Sequence, residues 1–453
     1  MRFTKLAFIA VCACVWCVSL ANAQELQLPS TVGEPAEGRY YSYTHNHGQD
    51  SPSDIPRAPH DSHAGGGSCG CAAGPACDGG CDAGGCDSEP WRLFPSWCGT
   101  TLTGWVALGA TANGRQPASR YNGVNSFNDR EEFQVQQVYA VLEHKADNEG
   151  CGLALGGRVD VLFGSDYIFT QAVGLETTRS GGAKWNNRAQ YGLALPQIYG
   201  EVAWNDVNVK IGHFYTIIGY EVVTAPGNFF QSHAYTMQYG EPFTHTGGLA
   251  EYAYNDNLTL WAGLVNGWDK FDALSNQTSF LGGFKWTPDH EQYNFTFAFI
   301  TGDEDGSASV VGNRTMYSSV FDYTVSDNLQ YVFQHDYGWQ SNVMGGGSDA
   351  EWYSVNQYLF YTINDCWKAG ARFEWFRDDD GFRVAGVRPG NPNTGPFVGD
   401  FYEFTLGLNW TPCNNLVVRP EIRWDWFEGT GLPYNDGISD DQFTAAFDMI
   451  LHW

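Results

Sequence analysis

The chain has 453 residues, with 51 Asp and Glu against 24 Lys and Arg, a formal net charge of −27, 15% aromatic residues and 54 glycines. Such acidity argues against nucleic-acid binding. No segment after Ala23 offers ~18 or more consecutive apolar residues, so no transmembrane helix is available and either a secreted β-rich protein or a membrane β-barrel remains.

The first residues read as an export signal. Arg2 and Lys5 supply a positive start, residues 6–20 an apolar run, and Ala21-Asn22-Ala23 a small-x-small cleavage site. The run is too short for a membrane anchor, and the mature chain is expected to begin at Gln24. Removing Arg2 and Lys5 takes the charge from −27 to −29. Residues 24–97 are rich in Gly, Pro, Ser, Asp and His and read as a disordered periplasmic tail. Cys69, Cys71, Cys77, Cys81 and Cys86 lie there with His45, His47, His60 and His63 nearby. Their spacings match no zinc finger or ribbon, and disulfides in an oxidising compartment are the expectation ahead of a metal.

From residue 98 to the C-terminus the pattern has period two. Leu153, Leu155, Val159, Val161 and Phe163 alternate with Arg158 and Asp160; Tyr293, Phe295, Phe297 and Phe299 alternate with Asn294, Thr296 and Ala298. Trp367, Ala369, Ala371, Phe373 and Trp375 alternate with Lys368, Gly370, Arg372 and Glu374. Leu416, Val418, Pro420, Ile422, Trp424 and Trp426 alternate with Arg419, Glu421, Arg423 and Asp425. Successive strand side chains point to opposite faces, so each segment has one apolar and one polar face. A sandwich shares that alternation. The aromatic ends of the apolar faces and the mixed charges of the polar faces favour a membrane barrel with a wet interior.

Sixteen strands are expected, at 100–111, 135–145, 151–163, 197–205, 207–215, 247–254, 257–266, 278–286, 292–301, 314–324, 328–338, 350–361, 366–377, 401–411, 415–427 and 442–453. The links after even strands are short and carry turn residues, as in Asn205-Asp206, Asn255-Asp256, Asn364-Asp365 and Pro412-Cys413-Asn414. Links after odd strands are long, as in 164–196, 216–246, 378–400 and 428–441. Short periplasmic turns alternating with long outer loops are the pattern of an up-and-down outer-membrane barrel. The last segment closes on Phe447, Met449, Leu451 and Trp453, like a C-terminal barrel strand read for membrane insertion.

The stretch Gly212-His213-Phe214-Tyr215 through Gly219-Tyr220-Glu221, then Ala225-Pro226-Gly227-Asn228-Phe229-Phe230 and Gly240-Glu241-Pro242-Phe243-Thr244-His245-Thr246-Gly247, resembles the OmpL-like β-barrel porin family. The resemblance spans roughly Trp105 to Trp453. It implies an outer-membrane pore and carries no catalytic residues with it.

The expected function is passive diffusion of small hydrophilic solutes or ions, with outer-membrane lipid and a homo-oligomer among the partners the reading admits and with no cofactor. Arg158, Asp160, Lys210, Lys368, Arg372, Glu374, Arg419, Glu421 and Arg423 share the inward phase and are expected to line the pore. Loop 216–246, carrying Glu221, His233, Glu241 and His245, is the expected constriction; carboxylates there and the −29 charge predict weak cation preference. Asp303-Glu304-Asp305-Gly306 and Asp378-Asp379-Asp380-Gly381 lack a full calcium-loop ligand pattern and read as solvated loops. Cys366 and Cys413 fall at the same rim of consecutive strands with matching inward phase, which predicts a disulfide. No G-x-S-x-G, H-E-x-x-H or phosphate loop is present; a barrel-embedded enzyme and a secreted β-rich binding protein are the alternatives.

Overall fold

The computed structural model describes residues 91–453 except 149–151, 187–189, 273–277, 291, 306–310 and 344–347. The export signal and the Cys- and His-rich tract lie outside the described residues. All sixteen expected strands form. They are β1 (Thr100–Asn113), β2 (Phe133–His144), β3 (Leu153–Gly164), the short β4 (Gly192–Ala194), β5 (Ile198–Trp204), β6 (Val207–Tyr215), β7 (Thr244–Asn255), β8 (Leu258–Val265) and β9 (Ser279–Trp286). Then follow β10 (Tyr293–Asp305), β11 (Val311–Ser326), β12 (Leu329–Gln340), β13 (Ala350–Asn364), β14 (Trp367–Asp378), β15 (Val398–Cys413), β16 (Leu416–Thr430) and β17 (Asp441–His452).

Each strand pairs antiparallel with its chain neighbour, and β17 returns to β1 in the register Trp105↔His452 through Asn113↔Thr444. The sheet therefore has no open edge. β4 and β5 are one stave in two pieces. The first pairs Leu162↔Ala194, the second pairs Val159↔Ile198 through Leu153↔Trp204, and Leu195-Pro196-Gln197 interrupts them. Pro196 has no N–H to give a ladder, yet Asp160 N–H still donates to the Gln197 carbonyl at 2.8 Å. The result is a closed barrel of sixteen staves.

Period two is carried faithfully into space. Along β15, Phe404 and Leu406 face outward and are 40% and 41% exposed, while Glu403 and Thr405 between them face inward at 0%. The outer wall carries two aromatic levels. Trp367 stacks on Trp410 at 5.8 Å near the short turns, and near the long loops Tyr402 stacks on Trp426 at 5.1 Å and Tyr353 meets Trp375 at 5.6 Å. Trp367 and Trp375 are eight positions apart. At ~3.3 Å per residue and a strand tilt of ~40°, the two levels stand about 20 Å apart along the membrane normal, close to the ~25 Å apolar band of such barrels.

The interior departs from the expected polar lumen. Towards the long loops the inward positions are apolar: Leu281, Ala298, Ile300, Met316, Trp352, Phe376 and Phe401 are buried in one cluster with residues of the inserted loops. An inward strand position needs a polar side chain only where it meets water, and here it meets folded loop.

The expected Cys366–Cys413 disulfide is not formed. The ladder explains why. Trp367 lies opposite Trp410, and Thr411 N–H donates to the Cys366 carbonyl at 2.8 Å. Cys366 thus stands beside Thr411, and β15 runs two positions further to Cys413, which faces Leu416 past a register shift. The register does not bring the two residues opposite one another.

Two outcomes follow. Val161→Arg or Phe373→Arg places a guanidinium on the lipid face and should lower stability by about 2–4 kcal/mol near the bilayer midplane, measured by reversible unfolding in lipid vesicles. Peptide mapping without reductant should recover Cys366 and Cys413 unlinked to each other.

Candidate functional site

The connection between β6 and β7, residues 216–243, does not project from the barrel. It crosses the interior, and most of its side chains are buried. The inward faces of β14 to β17 hold one side of it. Arg372 on β14 donates from Nη1 to Glu221 Oε1 at 2.7 Å and to the Ser232 carbonyl at 2.7 Å, while its Nε donates to Glu403 on β15 at 2.5 Å. Glu374, one inward position further, accepts the backbone N–H groups of Tyr235 and Thr236 at 2.5 and 2.6 Å. Glu421 on β16 accepts the N–H groups of Gln231 and Ser232 at 2.8 and 3.1 Å. Arg419 donates to the carbonyls of Ala225 and Asn228 at 2.9 and 2.6 Å, and pairs with Asp448 on β17. Arg423 donates to the His233 carbonyl at 2.6 Å and to Asp425 at 2.7 Å. A loop buried without such partners would leave its backbone polar groups unsatisfied; here wall charges alternate with wall acceptors to satisfy them.

Other contacts complete the crossing. On β2, Gln137 donates to the Val223 carbonyl at 2.6 Å and accepts from Ala225 N–H at 3.0 Å. Phe229 and Phe230 pack with Val320, Val332, Tyr358 and Phe360 of β11 to β13. Trp352 Nε1 on β13 donates to the Gly240 carbonyl at 3.0 Å. Tyr239 reaches the β1–β2 connection at Ser126 (2.8 Å) and donates to the Ala385 carbonyl in the β14–β15 connection at 2.8 Å. Gly219 adopts φ 94°, and a Cβ there would fall 2.2 Å from Glu241 Oε2; only glycine permits that approach.

The expected constriction residues divide. Glu221 is a hub: besides Arg372 it meets His233 Nδ1 at 3.0 Å and accepts from Tyr358 OH at 3.2 Å. The His233 ring lies 3.8 Å from that of Phe127. Glu241 accepts from Gln334 Nε2 on β12 at 2.6 Å. His245 is not in the loop, because β7 begins at Thr244. Its Nδ1–H donates to the Gly267 carbonyl at 2.9 Å and its Nε2 shares a hydrogen bond with the Thr216 hydroxyl at 2.9 Å. A carbonyl can only accept, so Nδ1 carries a proton and the ring staples two connections together. No ring of uncompensated carboxylates therefore forms from these four residues.

Of the nine inward residues expected along the pore, Arg372, Glu374, Arg419, Glu421 and Arg423 grip the loop. Arg158 and Asp160 form a separate buried pair at 2.7 Å, joined by Tyr139 OH (2.6 Å) and Gln197 Nε2 (2.9 Å). Lys210 and Lys368 are half-buried towards the short turns, Lys210 over the Tyr199 ring at 5.3 Å. Glu403, Asp425, Asp448 and Gln137 also belong to this network; Glu403 and Asp425 share the polar faces read from the alternation without having been assigned to the pore, and Asp448 and Gln137 were missed. The acidic loop segments serve the fold: Asp378 accepts the N–H groups of Phe382, Arg383 and Val384 at 2.7–3.0 Å, and Glu304 pairs with Lys270. Among the described residues no group of three or more His, Cys, Asp or Glu is placed to hold a metal ion.

Solved structures share the architecture. An anion-selective porin from Comamonas acidovorans aligns with TM-score 0.55 at 10% identity, over 78% of this chain and 99% of that one. The outer-membrane channel DcaP of Acinetobacter baumannii aligns with TM-score 0.51 at 13% identity, over 80% and 99%. OmpT of Vibrio cholerae gives TM-score 0.51 at 10% identity, over 78% and 97%. These likenesses speak to fold alone. No curated protein matches the sequence. The family model described as "Putative beta-barrel porin-2, OmpL-like" matches residues 99–453, the whole barrel. Closed barrel, inserted loop and family match converge: the chain belongs to the OmpL-like β-barrel porin-2 family of bacterial outer-membrane channels.

Proposed function

We propose that this porin passes small hydrophilic solutes and ions along a narrow hydrated path between loop 216–243 and the wall, and that the loop sets its width. The observation that supports this most is the loop's attachment by Arg372, Glu374, Arg419, Glu421 and Arg423 across a closed barrel. Around it, inward-facing Thr296 Oγ1, Ser354 Oγ and both side-chain polar atoms of Asn356 and Asn409 have no protein partner among the described residues. An unpartnered buried polar group costs about 1–3 kcal/mol, so these positions favour bound water. In this reading Arg158, Asp160, Lys210 and Lys368 line the interior directly, and the five gripping residues act on permeation through the loop they hold.

Weak cation preference is part of the proposal. Since Arg372 compensates Glu221, that preference rests on the field of the whole acidic chain and not on a carboxylate ring. The chain reaches the outer membrane by its export signal, the mature protein starts at Gln24, and residues 24–97 stay on the periplasmic side. A homo-oligomer is part of the same proposal.

Planar-bilayer recording of the full mature chain tests the reading. Discrete conductance steps in KCl are expected, and their absence would overturn it. Replacing residues 222–240 by a short Gly–Ser link should raise the unit conductance; an unchanged step would show that the loop does not limit flow. Glu221→Gln leaves Arg372 with one carboxylate partner, and removing one member of such a buried pair costs roughly 3–5 kcal/mol. The variant should show conductance noisier than the parent, from a loosened loop. In a KCl gradient the reversal potential should carry the cation sign; the anion sign contradicts the preference.

A further inference from the structure

Two arginines at the long-loop end are placed unlike the others. Arg314 faces inward on β11 and lies over the Trp268 ring at 4.8 Å. Arg383, from the β14–β15 connection, lies over the same ring at 5.1 Å and over Trp352 at 4.9 Å. The two indoles meet edge to face at 6.1 Å. Each guanidinium is anchored through Nε, Arg314 to Gln340 Oε1 and Arg383 to the Tyr239 carbonyl, both at 2.6 Å. Arg158, Arg372, Arg419 and Arg423 each pair with a carboxylate; among the described residues Arg314 and Arg383 form no such pair, and both are only half-buried. The nearby carboxylates are engaged elsewhere: Glu304 by Lys270 and Trp268 N–H, Asp269 by the N–H groups of Phe243 and Thr244, and Asp378 by three N–H groups of its own turn. Burial, and next the charge of Arg314, push the Arg383 guanidinium down to about 9, so it stays charged at neutral pH and is repelled by Arg314.

We infer that Arg314 and Arg383, held in place by the buried indoles of Trp268 and Trp352, form a binding site at the long-loop end of the barrel for the carboxylate group of a small solute. Guanidiniums fixed through Nε present their Nη donors to a planar two-oxygen acceptor, and an incoming anion relieves the repulsion between them. The indole faces hold the guanidiniums by cation–π contact and so fix where their donors point. A local anion site is compatible with weak overall cation preference, because the first is set by two adjacent charges and the second by the whole field. The inference deepens the channel reading by naming a solute class, and rests on that reading for its role in transport.

The full mature chain, folded in detergent micelles, is titrated with benzoate and followed by saturation-transfer NMR. Saturable binding is expected, with benzyl alcohol, which lacks the carboxylate, failing to compete. Arg314→Gln and Arg383→Gln should each weaken benzoate roughly tenfold or more, the size of a lost charge-assisted hydrogen bond. Arg383→Lys, which keeps charge and perturbs folding least, should lie between. Absent binding, equal binding in the variants, or competition by benzyl alcohol would overturn the site. Phosphate displacing benzoate at equal concentration would overturn the carboxylate assignment. Benzoate binding by a protein without conductance would sink the channel reading and keep the site; conductance without benzoate binding would sink the site alone.

Discussion

In a hydrocarbon layer every backbone N–H and C=O must find a partner within the protein, and this chain meets that demand by closing β17 onto β1. Most of the rest follows. Closure fixes sixteen staves and gives the wall a mostly apolar outward face, with Ser319, His335 and Gln357 among its exceptions. It also leaves an interior that side chains alone do not fill. Long connections at one end are thereby given a cavity to occupy, and residues 216–243 occupy it.

The charges behind the loop are arranged as acceptors and donors for a backbone and are not scattered over a wet wall. Arg372, Arg419 and Arg423 each satisfy a carboxylate of the wall and a carbonyl of the loop, while Glu374 and Glu421 take loop N–H groups. Buried ion pairs contribute little net stability against apolar replacements; their value here is geometric. An apolar wall would allow the loop to slide, whereas donors and acceptors at fixed heights select one placement. The same logic sets Arg314 and Arg383 apart, since neither has a carboxylate of its own.

The wall was legible because period two and turn chemistry are local. Leu153 to Phe163, Trp367 to Trp375 and Phe443 to Trp453 each display their two faces without help from the rest of the chain. What depends on register or on folding of long connections was not legible. Cys366 and Cys413 do not meet, because Cys366 stands beside Thr411 and β15 runs two positions further, through a local shift in its ladder with β16. His245 sits on β7 because Thr244 already pairs with Tyr215, which no single-strand pattern announces. The interior proved apolar near Trp352 and Phe376 because residues of five connections join the same cluster, and convergence of distant loops leaves no periodic trace.

The central claim is that residues 216–243 are a fixed part of the interior. Amide hydrogen exchange of the barrel in lipid nanodiscs reads this directly, since Gln231, Ser232, Tyr235 and Thr236 donate their N–H groups to wall carboxylates. Protection of these amides comparable to that of the strand ladders is the predicted result, with residues 431–440 of the β16–β17 connection exchanging far sooner. Exchange of residues 229–240 as fast as that outer connection would contradict a loop held in place by the barrel wall.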